Sequence, residues 1–184
     1  MTRLNALNPD QASGKTKELF NAINSKFGVI PNMMRTMGNS SAFLEGYLTL
    51  SGSLSGGTLG AKTGALIALT VAETNGCNYC LSAHTYLGAN LAKLDAEAMA
   101  SARLATSKDA KVSAILKFAQ VLVTKRGHVS DSDVATVKGA GVSDGEVGEI
   151  VGHVALNILT NYFNNTANTE IDFPAVEAHR LAVV

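Results

Sequence analysis

Both cysteines of the chain fall within twelve residues that also contain a carboxylate and an imidazole, Glu73-Thr74-Asn75-Gly76-Cys77-Asn78-Tyr79-Cys80-Leu81-Ser82-Ala83-His84. On one continuous helix, positions 73, 77, 80 and 84 would lie within an arc of roughly 60°, so these four side chains would share one face. Glycine is unfavourable inside a helix, however, and Asn-Gly more often ends one helix before the next begins. We therefore expect Glu73 on the last turn of one helix and Cys77 on the first turn of the next.

The spacing of the two cysteines suits two-electron redox chemistry. A thiol on the first turn of a helix lies near the positive end of the helix dipole and loses its proton more readily. Two thiols separated by two residues can close a disulfide, so the second can displace a group that the first has taken up. His84 follows Cys80 by one turn and could accept its proton, with Glu73 orienting the imidazole. The dipole alone favours Cys77 as the more acidic thiol, whereas the position of His84 favours Cys80.

The pattern Glu73-x3-Cys77-x2-Cys80-x3-His84 resembles the carboxymuconolactone decarboxylase family, and more specifically its AhpD-like alkylhydroperoxidase branch. Residues 28–32 and 152–164 are also similar to the family, so the resemblance covers most of the chain, from about residue 27 to 173. It implies an all-α, AhpD-like helical bundle that assembles into a homo-oligomer, a trimer or hexamer. It also implies reduction of hydroperoxides or disulfides by the paired cysteines.

The resemblance further implies a role for each residue of the motif. Cys80 would attack the peroxide, Cys77 would resolve the product as a disulfide, and His84 would belong to a proton relay. An external dithiol, either a lipoyl protein or a thioredoxin-like protein, would then restore the thiols.

Two positions depart from the usual pattern of this branch. Many AhpD-like proteins carry the relay glutamate about three turns before the first cysteine, where this chain has no carboxylate. Glu73 is the only acid between residues 46 and 94, so we expect it to fill that role from a shifted position. Tyr79 stands where some family members have a second histidine, which leaves a phenol in place of one proton carrier.

A polar row on a later segment supplies further candidates. His153, Asn157 and Asn161 recur at helical spacing within a mostly apolar stretch. A hydrogen-bonded network in the core or at a subunit interface explains such a row somewhat better than a direct part in the chemistry. Tyr79, His153 and Asn157 are therefore possible supporting residues of the site.

Composition limits the partners that the chain can have. Lys plus Arg and Asp plus Glu number 15 each, so no net field attracts nucleic acid or an anionic membrane. The first residues lack an apolar signal-peptide core, and no stretch supplies about 18 consecutive apolar residues. With 46% hydrophobic residues among 184, we expect one soluble cytoplasmic domain in which the cysteines rest as thiols, without a cofactor or metal.

Apolar periodicity predicts helices along the whole chain, and no strand pattern competes with it. Helices are expected over about 9–27, 42–54, 77–90 and 112–124. Thr58 is expected to cap another helix, a short helix begins at Asp95, and Ser130-x-x-Asp133 and Ser143-x-x-Glu146 resemble capping boxes at the start of two more. We expect a single domain over 1–184, divided into an N-terminal helical arm of about 1–55, a motif-bearing core of about 56–165 and a C-terminal tail. The tail is expected to form a loop after residue 164 that ends in an amphipathic segment.

Two other functions fit parts of the motif. A cofactor-free lyase like the decarboxylases that name the family would use Glu73 and His84 as acid and base, but the chain offers no arginine cluster near the motif to hold a dicarboxylate. A non-catalytic structural protein could instead bind zinc through Cys77, Cys80 and His84, completed by His153 or another chain.

Overall fold

The computed structural model describes residues 1–179. Within that range, a short 3₁₀ helix, Pro9–Gln11, precedes nine α-helices, and there is no strand. The α-helices are α1 (Gly14–Phe27), α2 (Asn32–Met37), α3 (Ser41–Ser55), α4 (Gly60–Thr74), α5 (Asn78–Asn90), α6 (Ala96–Arg103), α7 (Ala110–Thr124), α8 (Asp131–Gly139) and α9 (Asp144–Ala167).

Helix α4 lies at the centre of the fold, where it contacts α5, α6, α7 and α9. Its residues from Leu66 to Glu73 are buried without interruption. A helix that is apolar on nearly all sides must be covered on all sides, and these four neighbours cover it. The long helix α9 also packs against α3, α5 and α7. The predicted single all-α domain is confirmed.

The helix predicted over 9–27 is in two pieces. Asn8 caps the 3₁₀ helix through its side chain, but Ala12 is extended, so the helical run is interrupted before Ser13 begins α1. Gly28 ends α1 with a φ of 73°, a left-handed conformation that glycine adopts without steric penalty.

The prediction that Thr58 caps α4 is wrong. The carboxylate of Glu149, on α9, accepts hydrogen bonds from the backbone N–H groups of Thr58 and Leu59 at 2.9 and 3.0 Å. A carboxylate offers two acceptor atoms and a negative charge to the positive end of the helix, so it replaces the hydroxyl as the cap. The predicted capping boxes at Ser130 and Ser143 are confirmed at the starts of α8 and α9. The short helix expected at Asp95 is α6, and the Asp95 side chain caps it.

The C-terminal tail, residues 168–179, contains no helix and crosses the surface of α5. The backbone N–H of Val176 donates to Ser82 Oγ, and that of Ala178 donates to Asn78 Oδ1, each at 2.9 Å. Residues 180–184, which belong to the predicted amphipathic end of the tail, lie outside the described residues. None of the described helices combines the length and the apolar character that are needed to cross a membrane.

Candidate functional site

A sharp turn between α4 and α5 places the two cysteines. Asn75 caps the end of α4, and Gly76 adopts a φ of 63°, which strongly favours glycine. Cys77 is the N-cap of α5, and its Sγ accepts a hydrogen bond from the backbone N–H of Cys80 at 3.4 Å. The predicted helix break is therefore present, with Cys77 one position before the first turn of α5.

The two sulfur atoms lie 2.8 Å apart, with the Cys77 thiol donating to Cys80. Both cysteines are reduced and buried, with 0% and 2% of Cys77 and Cys80 exposed. The two cysteines differ in their surroundings, because Cys80 lines a cavity of about 240 Å³ and Cys77 does not. A molecule that enters the cavity therefore meets Cys80 first.

The cavity lies between α2, α3, α4, α5, α9 and the tail. Its walls are mostly apolar. The apolar and aromatic side chains that line it include Met33, Met34, Tyr47, Tyr79, Leu87 and Phe173. No Lys, Arg, Asp or Glu among the described residues lines it, so the cavity suits a neutral, largely apolar molecule.

Helix α9 presents a row of five buried polar side chains, His153, Asn157, Thr160, Asn161 and Asn164. Their helical spacing places them on one face of α9. The amide Nδ2 of Asn164 donates to Cys80 Sγ at 3.3 Å, and Oδ1 of Asn161 accepts from Asn75 Nδ2 at 3.0 Å. Sequence reasoning found the first part of this row and missed Thr160 and Asn164. Extending the same spacing to the end of the helix would have found both.

The surroundings lower the pKa of Cys80 and raise that of Cys77. Burial is the largest single influence on Cys80 and would raise its pKa, but the Cys77 thiol and polar contacts with Asn164, Asn161 and Thr160 together outweigh it. The pKa of Cys77 is raised because its thiol donates to Cys80 and because it is buried. The thiolate is the nucleophilic form of cysteine, so the directions of these pKa shifts favour Cys80 over Cys77 as the nucleophile, although Cys77 lies nearer the helix start.

His84 lies one turn after Cys80 and lines the same cavity. The ring is partly open to the cavity but deep within the protein, and this burial lowers its pKa to about 4, with the side chain of Asn157 opposing the shift. The imidazole is therefore neutral near pH 7, with one ring nitrogen able to donate a hydrogen bond and the other able to accept one.

Tyr79 holds two parts of the cavity wall together. Its hydroxyl accepts a hydrogen bond from the backbone N–H of Met33 at 3.1 Å, and its ring packs edge-on against Phe173 with centroids 5.9 Å apart. Burial raises the pKa of this phenol, so Tyr79 stays protonated. It supports the site by joining α2 and the tail to α5.

His153 lies on the cavity wall with 8% of its surface exposed, and its Nε2 has no hydrogen-bond partner among the described residues. Gly64 of α4 faces the ring, and a Cβ at that position would lie 2.8 Å from His153 Cε1. Burial lowers the pKa of His153, against the opposing charge of Glu149. The lack of a side chain at Gly64 thus makes room for a second neutral imidazole.

The structure does not bring Glu73 together with His84. One Glu73 oxygen accepts from Arg103 Nε at 2.6 Å, and the other accepts from the backbone N–H of His179 at 2.7 Å. Arg103 also donates to the backbone carbonyl of Glu177 at 2.7 Å. The left-handed turn at Gly76 separates the two helices, so the shared face of a continuous helix is lost. Glu73 holds the tail and does not line the cavity.

Within residues 1–179, no group of three or more His, Cys, Asp or Glu side chains is arranged to hold a metal ion. The proposed zinc ligands, Cys77, Cys80, His84 and His153, therefore do not form a preformed ligand set in this part of the chain.

One protein-family model matches the part of the chain that contains the two cysteines. The model of the carboxymuconolactone decarboxylase family matches residues 41–121, from the start of α3 into α7, and this range includes both cysteines. No protein of curated function matches the chain in sequence.

Three solved structures share the fold. A peroxidase-related protein from Silicibacter sp. TM1040, described as uncharacterized, is 20% identical with a TM-score of 0.81, over 92% of this chain and 91% of that one. An uncharacterized peroxidase-related protein from Ralstonia eutropha JMP134, described as an alkylhydroperoxidase AhpD core, is 20% identical with a TM-score of 0.82, over 93% and 92%. A variant of the debrominase Bmp8 in complex with 2,3,4-tribromopyrrole is 19% identical with a TM-score of 0.79, over 94% and 92%. These likenesses confirm the AhpD-like fold.

Proposed function

We propose that the chain is a member of the carboxymuconolactone decarboxylase family, whose model matches residues 41–121, and that it is a thiol-dependent peroxidase and disulfide reductase of the alkylhydroperoxidase type. The observation that supports this most is the unequal placement of two sulfur atoms 2.8 Å apart. Cys80 lies on the cavity wall, whereas Cys77 is fully buried and does not line the cavity. One thiol is placed to react with a ligand, and the other is placed to capture the product.

The reaction takes place in two steps. The Cys80 thiolate attacks one oxygen of a hydroperoxide, the O–O bond breaks, and an alcohol leaves after taking up a proton, so that Cys80 becomes a sulfenic acid. The Cys77 thiol then attacks this sulfur, water leaves, and a disulfide forms. The cysteines lose two electrons and the hydroperoxide gains them. An external dithiol, from a lipoyl protein or a thioredoxin-like protein, returns the two electrons.

His84 is the group that handles protons in this proposal. Its neutral ring can donate a hydrogen bond to the departing alkoxide, since it lies on the same cavity wall as Cys80. Glu73 has no part in the relay, because both of its carboxylate oxygens are engaged by Arg103 and His179. His84 therefore acts without a carboxylate partner.

The cavity wall favours an organic hydroperoxide over hydrogen peroxide. Its mostly apolar lining and the absence of charged side chains among its described residues favour a ligand that carries an apolar group. Hydrogen peroxide would leave most of this apolar surface without a partner.

Reductive dehalogenation of a small aromatic molecule is a second candidate. The aromatic side chains Tyr47, Tyr79 and Phe173 line the cavity, and the debrominase described above shares the fold. The Cys80 thiolate would take the bromine from an aryl bromide, the ring carbon would take up a proton, and Cys77 would displace bromide to form the same disulfide. This reaction has the same two-electron balance.

The lyase alternative has less support. It needs an acid and a base close together, and Glu73 and His84 lie in different surroundings. It also needs a cation to hold a dicarboxylate, and no Lys or Arg among the described residues lines the cavity.

The experiment that tests the proposal is a free-thiol count before and after one equivalent of cumene hydroperoxide, in the wild-type protein and in C80S and C77S. The wild type is expected to lose both thiols to an intramolecular disulfide much faster than a free thiol reacts. C80S should not react, and C77S should stop at a sulfenic acid that dimedone traps. A C80S protein that still consumes hydroperoxide at the wild-type rate would contradict the proposal. Bromide release from a bromopyrrole tests the second candidate.

The assembly into a trimer or hexamer stays a prediction. The outer face of α9 carries the exposed apolar side chains Val151 and Tyr162, at 45% and 59% exposure. Light scattering of the purified protein would measure the number of copies.

A further inference from the structure

The sulfur of Cys80 is contacted from α9 by a residue that lies 84 positions later in the chain. The amide Nδ2 of Asn164 donates to Sγ at 3.3 Å, and Asn164 is only 3% exposed. The second donor is the thiol of Cys77 at 2.8 Å. Cys80 Sγ therefore accepts hydrogen bonds from two sides, and Cys77 Sγ accepts one from the Cys80 backbone.

The oxygen of the Asn164 amide lacks a hydrogen-bond partner. Its Oδ1 is buried and has no hydrogen-bond partner among the described residues. A buried polar atom without a partner destabilises the folded protein, and an apolar side chain of similar size would avoid that cost. Stability alone therefore does not explain an asparagine at this position, whereas a requirement for an N–H donor beside the sulfur does.

No cation faces Cys80 from any of the described elements packed around it. Cys77, the N-cap of α5, contacts the sulfur, and the other titratable side chains of the cavity wall are Tyr79 and His84 on α5, Tyr47 on α3 and His153 on α9. Helices α2 and α4 contribute no titratable side chain to the cavity wall. The pKa of Tyr47 is raised to about 12 by burial, and that of His84 is lowered to about 4, so these groups are neutral near pH 7. Hydrogen bonds and the start of α5 must therefore stabilise a thiolate at this site.

We propose that Asn164 is a positioning residue that holds Cys80 as the thiolate, and that it thereby determines which of the two cysteines attacks. Asn161 and Thr160, one turn earlier on the same face of α9, are further polar neighbours of the Cys80 sulfur. The consequence for catalysis rests on the proposed function, in which Cys80 attacks a hydroperoxide. In this proposal an uncharged amide donor from α9 stabilises the thiolate, while proton transfer to the leaving group stays with His84.

The test is a pH titration of the thiolate by ultraviolet absorbance, in the wild-type protein and in N164L and N164D. N164L removes the donor at similar volume, and the lower of the two thiol titrations should move up by about one pH unit, which is a roughly tenfold loss of thiolate at neutral pH. N164D is nearly the same shape and should fold even if N164L does not. Its carboxylate would repel the thiolate, so the shift should be larger than for N164L. N165A, at the exposed neighbouring position, should titrate like the wild type.

The outcomes separate this inference from the proposed function, because the titration needs no substrate. An upward shift in both Asn164 variants, with N165A unchanged, supports Asn164 as the positioning residue, whether or not the protein reduces a hydroperoxide. A folded N164D protein that titrates at the wild-type midpoint would overturn the inference, even if cumene hydroperoxide is reduced. A purely structural role would lower the thermal unfolding midpoint of the variants without moving the thiolate titration, and this result would also overturn it.

Discussion

The two ends of the segment from Glu73 to His84 lie in unlike surroundings. Cys80 and His84 face a cavity with no charged side chain among its described lining residues, and hydrogen bonds control the acidity of the thiol there. Glu73 instead forms an ion pair with Arg103 and binds the backbone of the tail. One end is surrounded by neutral groups, and the other holds the tail to the helices with charges. Residues with the spacing of one relay can thus serve two purposes once a turn separates their helices.

The largest effect on stability is expected from E73Q, which tests the anchoring role of the ion pair. The Glu73 and Arg103 side chains are only 8% and 15% exposed. Because Arg103 would be left buried without its partner, we expect a loss of roughly 3 kcal/mol in the free energy of unfolding. Urea unfolding followed by circular dichroism measures this loss.

A matched control is E97Q, which removes the exposed ion pair between Glu97 and Lys108 and should change stability by less than about 1 kcal/mol. The folded E73Q protein should keep its reaction with hydroperoxide. If E73Q stays folded but no longer reacts with hydroperoxide, Glu73 takes part in the proton relay. The contrast between an anchoring end and a cavity end of the segment would then be wrong.

The next effect is a dependence of stability on pH that arises from the cavity. The pKa of His84 is lowered in the folded protein from 6.5 to about 4 by burial, so the unfolded chain binds more protons between these two values. The contribution of the neutral His84 to the free energy of unfolding is therefore fully present above pH 6.5. It is lost as the pH falls towards 4, and the loss is about 1–3 kcal/mol. Urea unfolding of the wild type and H84Q over this pH range measures the difference, which should shrink in H84Q. Parallel curves for the two proteins would show that His84 is not held neutral.

A smaller effect is expected from G64A, which probes the packing of His153 in the cavity. The added Cβ would lie 2.8 Å from the ring, so the ring must move or the helices must separate. We expect a net destabilisation of about 1 kcal/mol and slower reduction of hydroperoxide. G46A on α3 adds a Cβ in open space and should be neutral or stabilise by up to about 1 kcal/mol. If G64A and G46A have the same stability and the same rate of hydroperoxide reduction, the close approach of Gly64 to the His153 ring does not affect the site.

The smallest effect is expected from F173A, which tests whether the tail contributes to the cavity as well as to the anchor. Phe173 lines the cavity and packs against Tyr79 and Tyr86. Loss of its ring should raise KM for a bulky hydroperoxide by roughly threefold to tenfold, as expected for one or two aromatic contacts, with kcat little changed. I171A lies on the same tail outside the cavity wall and serves as the control. An unchanged KM in F173A would remove the tail from the substrate site.

Local signals predicted the helices well. The capping boxes at Ser130 and Ser143 and the stop at Gly28 involve residues within four positions of one another, so the information that determines them lies in the same short segment. The break at Gly76 is of the same kind. Prediction failed at Thr58, because the group that caps α4 is Glu149, 91 positions later in the chain.

The site was predicted only in part, for the same reason. The pairing of Cys77 with Cys80 and the placement of His84 one turn later follow from spacing on α5, and the sequence alone determined them, together with the all-α fold. Tertiary structure supplied part of what lowers the pKa of Cys80, because beside the local hydrogen bond from Cys77 the sulfur accepts one from Asn164, 84 positions away. It also decided the place of Glu73, whose partners Arg103 and His179 lie 30 and 106 positions away. Hydrogen bonds and ion pairs act over a few ångströms in space, whatever the separation along the chain, so only the packing of α4, α5, α9 and the tail determines them.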